Sequence, residues 1–105
     1  MKASTTSLTA SSLSANKGDS VTLTCVVEGY PEPSQPTLTK SGSSIEWTSK
    51  PCTGTFKKEC TKTFSSAAYS DSGTYKCEGS NTIGTVKKTS EDELNLSIGE
   101  HILFL

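Results

Sequence analysis

The clearest signal along the chain is a strict two-residue alternation at Val21-Thr22-Leu23-Thr24-Cys25-Val26-Val27. Val21, Leu23, Cys25 and Val27 fall on one face and Thr22 and Thr24 on the other, the pattern of a half-buried strand. A second strand is expected at Thr74-Tyr75-Lys76-Cys77, because Tyr75 and Cys77 stand two apart and so share a face. Leu94-Asn95-Leu96-Ser97-Ile98 predicts a closing strand with Leu94, Leu96 and Ile98 inward and Asn95 toward water. Ser7-Leu8-Thr9-Ala10 and Leu13-Ser14-Ala15 read as two short parts of an opening strand. Lys17-Gly18-Asp19 turns the chain into the next one.

Prolines punctuate this pattern. Pro31, Pro33 and Pro36 cannot donate to a central ladder, so the segment from Gly29 to Pro36 is expected outside the sheets. Thr37-Leu38-Thr39-Lys40-Ser41-Gly42 follows as a short strand and turn. Trp47, with Ile45 two before it, predicts an edge strand; a residue of this kind is either ordinary core or a partly exposed anchor for a partner. Thr61-Lys62-Thr63-Phe64 reads as one more strand. Every element identified in this way is a strand.

A chain of 105 residues allows one domain. Val, Ile, Leu and Phe supply only 19 of those residues, so the core is small for the length. The net charge of -1 nevertheless argues against disorder, which pairs low hydrophobicity with high charge. Ser and Thr make up the difference, as they do on the solvent faces of sandwich strands. A domain so composed needs covalent help, and its four cysteines can pair in three ways.

The run Asp71-Ser72-Gly73-Thr74-Tyr75-Lys76-Cys77 resembles the Asp-x-Gly-x-Tyr-x-Cys signature of immunoglobulin-superfamily domains. After it, Cys77-x-x-x-Asn81-x-x-Gly84 is similar to the hairpin of the I-set branch, and the ordered matches span residues 7 to 98. The resemblance implies an all-β, immunoglobulin-like Greek-key β-sandwich of two antiparallel sheets. It would occupy residues 7–99, with a disordered N-terminal tail over 1–6 and a tail or linker over 100–105. It also implies that Tyr75 forms a tyrosine corner, that Gly73 and Asp71 shape the turn before it, and that Cys25 bonds Cys77 across the sheets. Asp71 is expected to pair with Lys57 or Lys58. Leu38 then stands where the family places a tryptophan, with Trp47 as the other residue that could fill that role.

This leaves Cys52 and Cys60, either bridged to each other or free. A bridge would clip an edge region to the start of the strand at Thr61. By loop closure the long link is worth about 4 kcal/mol and the short one about 2.5 kcal/mol. Zinc is disfavoured, since these two cysteines and a distant His101 lack paired ligand spacing. Two disulfides would imply secretion or a cell surface. Residues 2–16 lack the apolar run of a signal peptide, so Met1 reads as an added start and the chain as a piece of a longer, membrane-anchored protein. The apolar end Ile102-Leu103-Phe104-Leu105 fits the start of a following domain.

Catalysis is not expected. His101 is the only histidine, so no Ser-His-Asp or Cys-His arrangement can be assembled. Glu91-Asp92-Glu93 reads as a solvated turn, without the alternating spacing of an EF-hand loop. No cofactor, metal or nucleic acid is implied. Lys50, Lys57, Lys58 and Lys62 form a modest basic cluster, but the chain has no arginine and its pI is near 5.8, so polyanion binding is not expected. Asn95-Leu96-Ser97 is an N-glycosylation sequon.

The function implied is that of an extracellular recognition module of an adhesion or receptor protein, binding another protein, with homophilic self/non-self recognition as in invertebrate allorecognition the sharpest form. The alternatives are a spacer domain of an intracellular muscle scaffold and the ligand-binding domain of a growth-factor receptor. The expected binding face is the sheet that carries Lys40 and Cys77, with Trp47, Tyr30 and Lys40 as its contact residues.

Overall fold

The computed structural model describes residues 1–48 and 52–99. Lys50, His101 and the apolar end at 102–105 lie outside the described residues. Among the described residues eight strands run in the order β1 (Lys2–Ala10), β2 (Ser14–Asn16), β3 (Val21–Tyr30), β4 (Thr37–Lys40), β5 (Ser43–Ile45), β6 (Lys57–Phe64), β7 (Gly73–Ile83) and β8 (Val86–Gly99). They form a three-stranded sheet, β1-β3-β6, facing a five-stranded sheet, β2-β8-β7-β4-β5. The pairings are antiparallel except β2 with β8, so the opening strand begins in one sheet and ends in the other. The expected two-part strand does this, and its break falls between Ala10 and Ser14.

Alternation places the core. Val21, Leu23, Cys25 and Val27 are fully buried on β3, and Tyr75 and Cys77 on β7 face them from the other sheet. Leu38 is 1% exposed and lies directly opposite Cys77 in the β4–β7 register, so it occupies the site beside the central disulfide. Leu96 and Ile98 close the cluster from β8. The bond between Cys25 and Cys77 spans Cα atoms 6.5 Å apart and ties the two sheets at this layer.

Beyond Gly79 the interior changes character. Asn81 is 2% exposed, accepting from the Ser4 backbone N–H at 3.0 Å through Oδ1 and donating through Nδ2 to the carbonyls of Lys2 and Pro31 at 2.9 and 3.0 Å. Nearby, Ser90 Oγ meets Thr6 Oγ1 at 2.7 Å and Ser4 Oγ at 3.0 Å. A chain with few large apolar residues thus closes this end of its sandwich with hydrogen bonds. Among the described residues each buried polar side-chain atom keeps a partner, which avoids the desolvation cost of an orphan.

Three expectations are corrected. Residues 2–6 are strand, with Ser4 buried, because Asn81 captures the Ser4 backbone; the disordered tail expected over 1–6 is not observed. Glu91, Asp92 and Glu93 lie within β8, where Asp92 Oδ2 accepts the Leu8 N–H at 2.8 Å and Lys76 pairs with Glu91 at 3.2 Å. Partners across the sheet make a strand of what reads as a solvated turn. Among the described residues Asp71 pairs with no lysine: its carboxylate accepts the Ala68 N–H at 2.8 Å, while Lys57 and Lys58 pair with Glu28 and Glu32.

The tyrosine corner is present. Tyr75 Oη donates to the Asp71 carbonyl at 2.5 Å, fixing the 3-10 turn Tyr69–Asp71 against the start of β7. Gly73 suits this turn because its φ is +152°, a backbone conformation that residues with a side chain rarely adopt. Burial, and secondarily the Asp71 charge, pushes the Tyr75 phenol up to about 12. An acid raised in the folded state stabilises the fold below its unfolded value near 10 and loses that contribution as pH climbs toward 12. Tyr75→Phe is therefore expected to cost about 1 kcal/mol at neutral pH. It should also remove part of the alkaline fall in stability, as read by urea unfolding across pH 8 to 12.

Candidate recognition surfaces

The second disulfide, Cys52–Cys60, spans Cα atoms 4.7 Å apart and closes a loop of sequence separation 8. Thr53 and Glu59 exchange backbone bonds at 3.0 and 2.8 Å, so the excursion folds back on β6 as a tight clasp. Gly54 makes the turn, with φ +94° and a Cβ position 2.0 Å from the Lys57 carbonyl oxygen, where no side chain fits. The clasp and its approach also dress β6, an edge of its sheet. Thr48 N–H donates to the Thr61 carbonyl at 2.8 Å, and Thr48 Oγ1 accepts from Thr63 N–H at 2.8 Å. The expected protection of an edge is observed, since a covered edge cannot template pairing with another chain.

What the clasp holds is Phe56. Its carbonyl accepts the Gly29 N–H at 2.9 Å, and its ring lies 5.0 Å from that of Tyr30, tilted by 48°. Both rings remain open to solvent, Tyr30 at 54% and Phe56 at 52%. Glu28 beside them pairs with Lys2 at 3.3 Å and Lys57 at 4.0 Å. The result is an exposed aromatic pair at one end of the three-stranded sheet, bordered by both signs of charge. Exposed ion pairs of this type add little stability.

The outer face of the five-stranded sheet is different. Lys76 stands among Glu78, Glu91 and Glu93, and its ammonium is held above its usual range, first by the hydrogen bond to Glu91 and then by the surrounding carboxylates. Thr74 and Asn95 pair across β7 and β8, with Thr74 Oγ1 donating to Asn95 Oδ1 at 2.6 Å. This face is polar, with Glu78, Glu91 and Glu93 set around Lys76 among Thr, Ser and Asn side chains. At the β5 edge a cleft of about 290 Å³ opens between Gln35–Leu38 and Ser44–Trp47, with the buried Leu38 and Trp47 at its base and the exposed Gln35, Thr37, Ser44 and Glu46 around them.

The expected contact set of Trp47, Tyr30 and Lys40 does not form one surface. Trp47 is 5% exposed and donates Nε1–H to the Pro36 carbonyl at 2.8 Å, so it is core and seats the proline loop. Lys40 hydrogen-bonds the Ser70 carbonyl and places Nζ 5.9 Å from the Tyr75 ring centre, which commits it to the tyrosine corner. Tyr30 is exposed but belongs to β3, in the opposite sheet from Lys40. Phe56 was missed. It follows Gly54 inside a polar, cysteine-bounded loop, where alternation offers no buried face for an aromatic. Among the described residues no cluster of His, Cys, Asp or Glu could hold a metal ion.

A sandwich of three and five strands, pinned by a cross-sheet disulfide beside a tyrosine corner, defines an immunoglobulin-type domain. The family profile described as "Immunoglobulin domain" matches residues 4–81, and the chain belongs to that family. No curated protein matches it by sequence. Among solved structures it is similar to the full ectodomain (Ig1–Ig3) of mouse nectin-like molecule 4, with a TM-score of 0.68 and 22% identity over 98% of this chain. The chain spans 32% of that ectodomain. It is also similar to the titin domains z1z2 in complex with telethonin, with a TM-score of 0.69, 17% identity, and coverage of 95% of this chain and 49% of that one. The Dscam1 Ig7 domain, isoform 9, gives 0.65 at 19% identity, covering 90% of this chain and 97% of that one. An ectodomain and titin domains match about equally well, so the likeness gives the fold alone.

Proposed function

We propose that this chain is an extracellular recognition domain of a cell-surface adhesion or receptor protein and that it binds a second copy of itself through the Tyr30–Phe56 patch. One observation carries the reading: the Cys52–Cys60 clasp, a covalent device that serves an exposed loop and fixes Phe56 against Tyr30. Disulfides persist in oxidising compartments. Aromatic side chains anchor interfaces, and losing water from two open rings is the main driving force available on this surface. Glu28 flanked by Lys2 and Lys57 supports a like partner, because a patch bearing both charges complements itself under a two-fold rotation.

The test is sedimentation velocity on the oxidised domain over a wide concentration range. A sedimentation coefficient that rises with concentration is expected, and Tyr30→Ser with Phe56→Ser should return it to the monomer value at unchanged thermal stability. A concentration-independent monomer, or self-association that the double variant leaves intact, would defeat the self-binding proposal.

A further inference from the structure

The outer face of the five-stranded sheet carries a site that the recognition patch does not use. Along β8, Leu96 is 3% exposed and Ile98 1%, so the alternation forces Asn95 and Ser97 outward, where both are exposed. Asn95, Leu96 and Ser97 together form the acceptor sequence Asn-x-Ser. The side chain of Asn95 is also oriented. Thr74 Oγ1 donates to its Oδ1 at 2.6 Å from the facing strand, and this fixes the amide by its oxygen while Nδ2 carries none of the described hydrogen bonds.

The surface next to it has room. Thr74 and Glu93 also line an open hollow of about 210 Å³, completed by Thr39, Ser41, Gly42 and Lys76. These walls offer hydroxyls, a carboxylate and an ammonium, the groups that hydrogen-bond a sugar. Their side chains are mostly short, so a bulky substituent on Asn95 meets no large apolar neighbour. We infer that Asn95 is an N-glycosylation site whose first sugar lies over the Thr74–Glu93 hollow and shields the outer face of the five-stranded sheet.

In the modification, Asn95 Nδ2 forms a bond to the anomeric carbon of a lipid-diphosphate-linked oligosaccharide. The bond from that carbon to the diphosphate oxygen breaks, and the amide proton leaves with the lipid diphosphate. The inference rests on the extracellular reading, because the donor is met only by a chain entering the secretory route. Its consequence is a division of labour between the faces: the five-stranded sheet is covered by carbohydrate and the three-stranded sheet keeps its aromatic pair bare.

The experiment is secretion of the chain, behind a cleavable signal peptide, from a eukaryotic cell line, followed by intact-mass and peptide mass spectrometry. The expected result is an added oligosaccharide on the peptide containing Asn95. Amidase release should remove it and leave aspartate at that position, and both Asn95→Gln and Ser97→Ala should abolish the whole added mass. Secretion with both disulfides formed but Asn95 unmodified would overturn the glycan and leave the extracellular reading standing. Secreted protein with its cysteines reduced would overturn the reading beneath it.

Discussion

Replacing Cys25 and Cys77 together by alanine is expected to lower stability by about 4 kcal/mol, enough to unfold a marginal domain of this size. The pair is the longest covalent loop in the chain, with a sequence separation of 52, so its removal frees the most conformational entropy in the unfolded state. Both cysteines are fully buried in the core cluster that includes Leu23, Leu38 and Tyr75, so the smaller side chains are expected to leave a void that costs further stability. Opening Cys52–Cys60 alone is expected to cost less, about 2.5 kcal/mol, because its loop is short; Cys60 is itself fully buried, so part of that cost is lost packing. Guanidinium unfolding of the two alanine pairs reads the difference. An intracellular spacer requires the opposite, a fold that keeps nearly all its stability with every cysteine reduced. Equal midpoints for oxidised and reduced protein would favour that spacer.

The second large effect concerns Trp47. Trp47→Ala is expected to cost 3–5 kcal/mol, the usual range for an aromatic lost from a core. The indole is 5% exposed, and its N–H satisfies the Pro36 carbonyl at 2.8 Å. Its loss therefore removes packing and orphans an acceptor at once. Trp47→Phe keeps most of the volume and should cost less, the remainder reporting the hydrogen bond and the missing ring. Neither variant is expected to act through the exposed aromatic pair, because Trp47 takes no part in it. A Trp47→Ala protein that folds with native stability yet loses self-association would reverse these roles.

The fold was legible wherever one face of a strand is apolar. Val21 to Val27 announced the central strand, Tyr75 and Cys77 the strand opposite, and Leu96 and Ile98 the closing one. Leu38 was legible only through the family resemblance, which left Trp47 as the alternative; the β4–β7 register puts Leu38 opposite Cys77. The polar end of the sandwich was not. Ser4, Thr6, Asn81 and Ser90 look like solvent-facing residues, and only their meeting across the two sheets makes them interior. Glu91 to Glu93 were misread for the same reason, since Lys76 and the Leu8 N–H come from distant strands.

The proposed contact surface was the least legible part. A tryptophan is as readily a core residue as an anchor, and its partner, a carbonyl in a proline loop, has no signature in residue type. Tyr30 ends a strand whose sheet depends on pairing with β6, which alternation cannot assign. Phe56 becomes a feature only once the clasp brings it to Tyr30. The cysteines that build the clasp were visible from the outset, whereas what they present was not.

The proposal that the domain is extracellular and disulfide-stapled is tested most directly by mapping its cysteines in protein taken from the cells that make it. Free thiols are first blocked by alkylation, and the digest is then read by mass spectrometry without reduction. Two cross-linked peptide pairs, Cys25 with Cys77 and Cys52 with Cys60, and no alkylated cysteine, are the expected result. Alkylation of all four would place the domain in a reducing compartment and contradict the account.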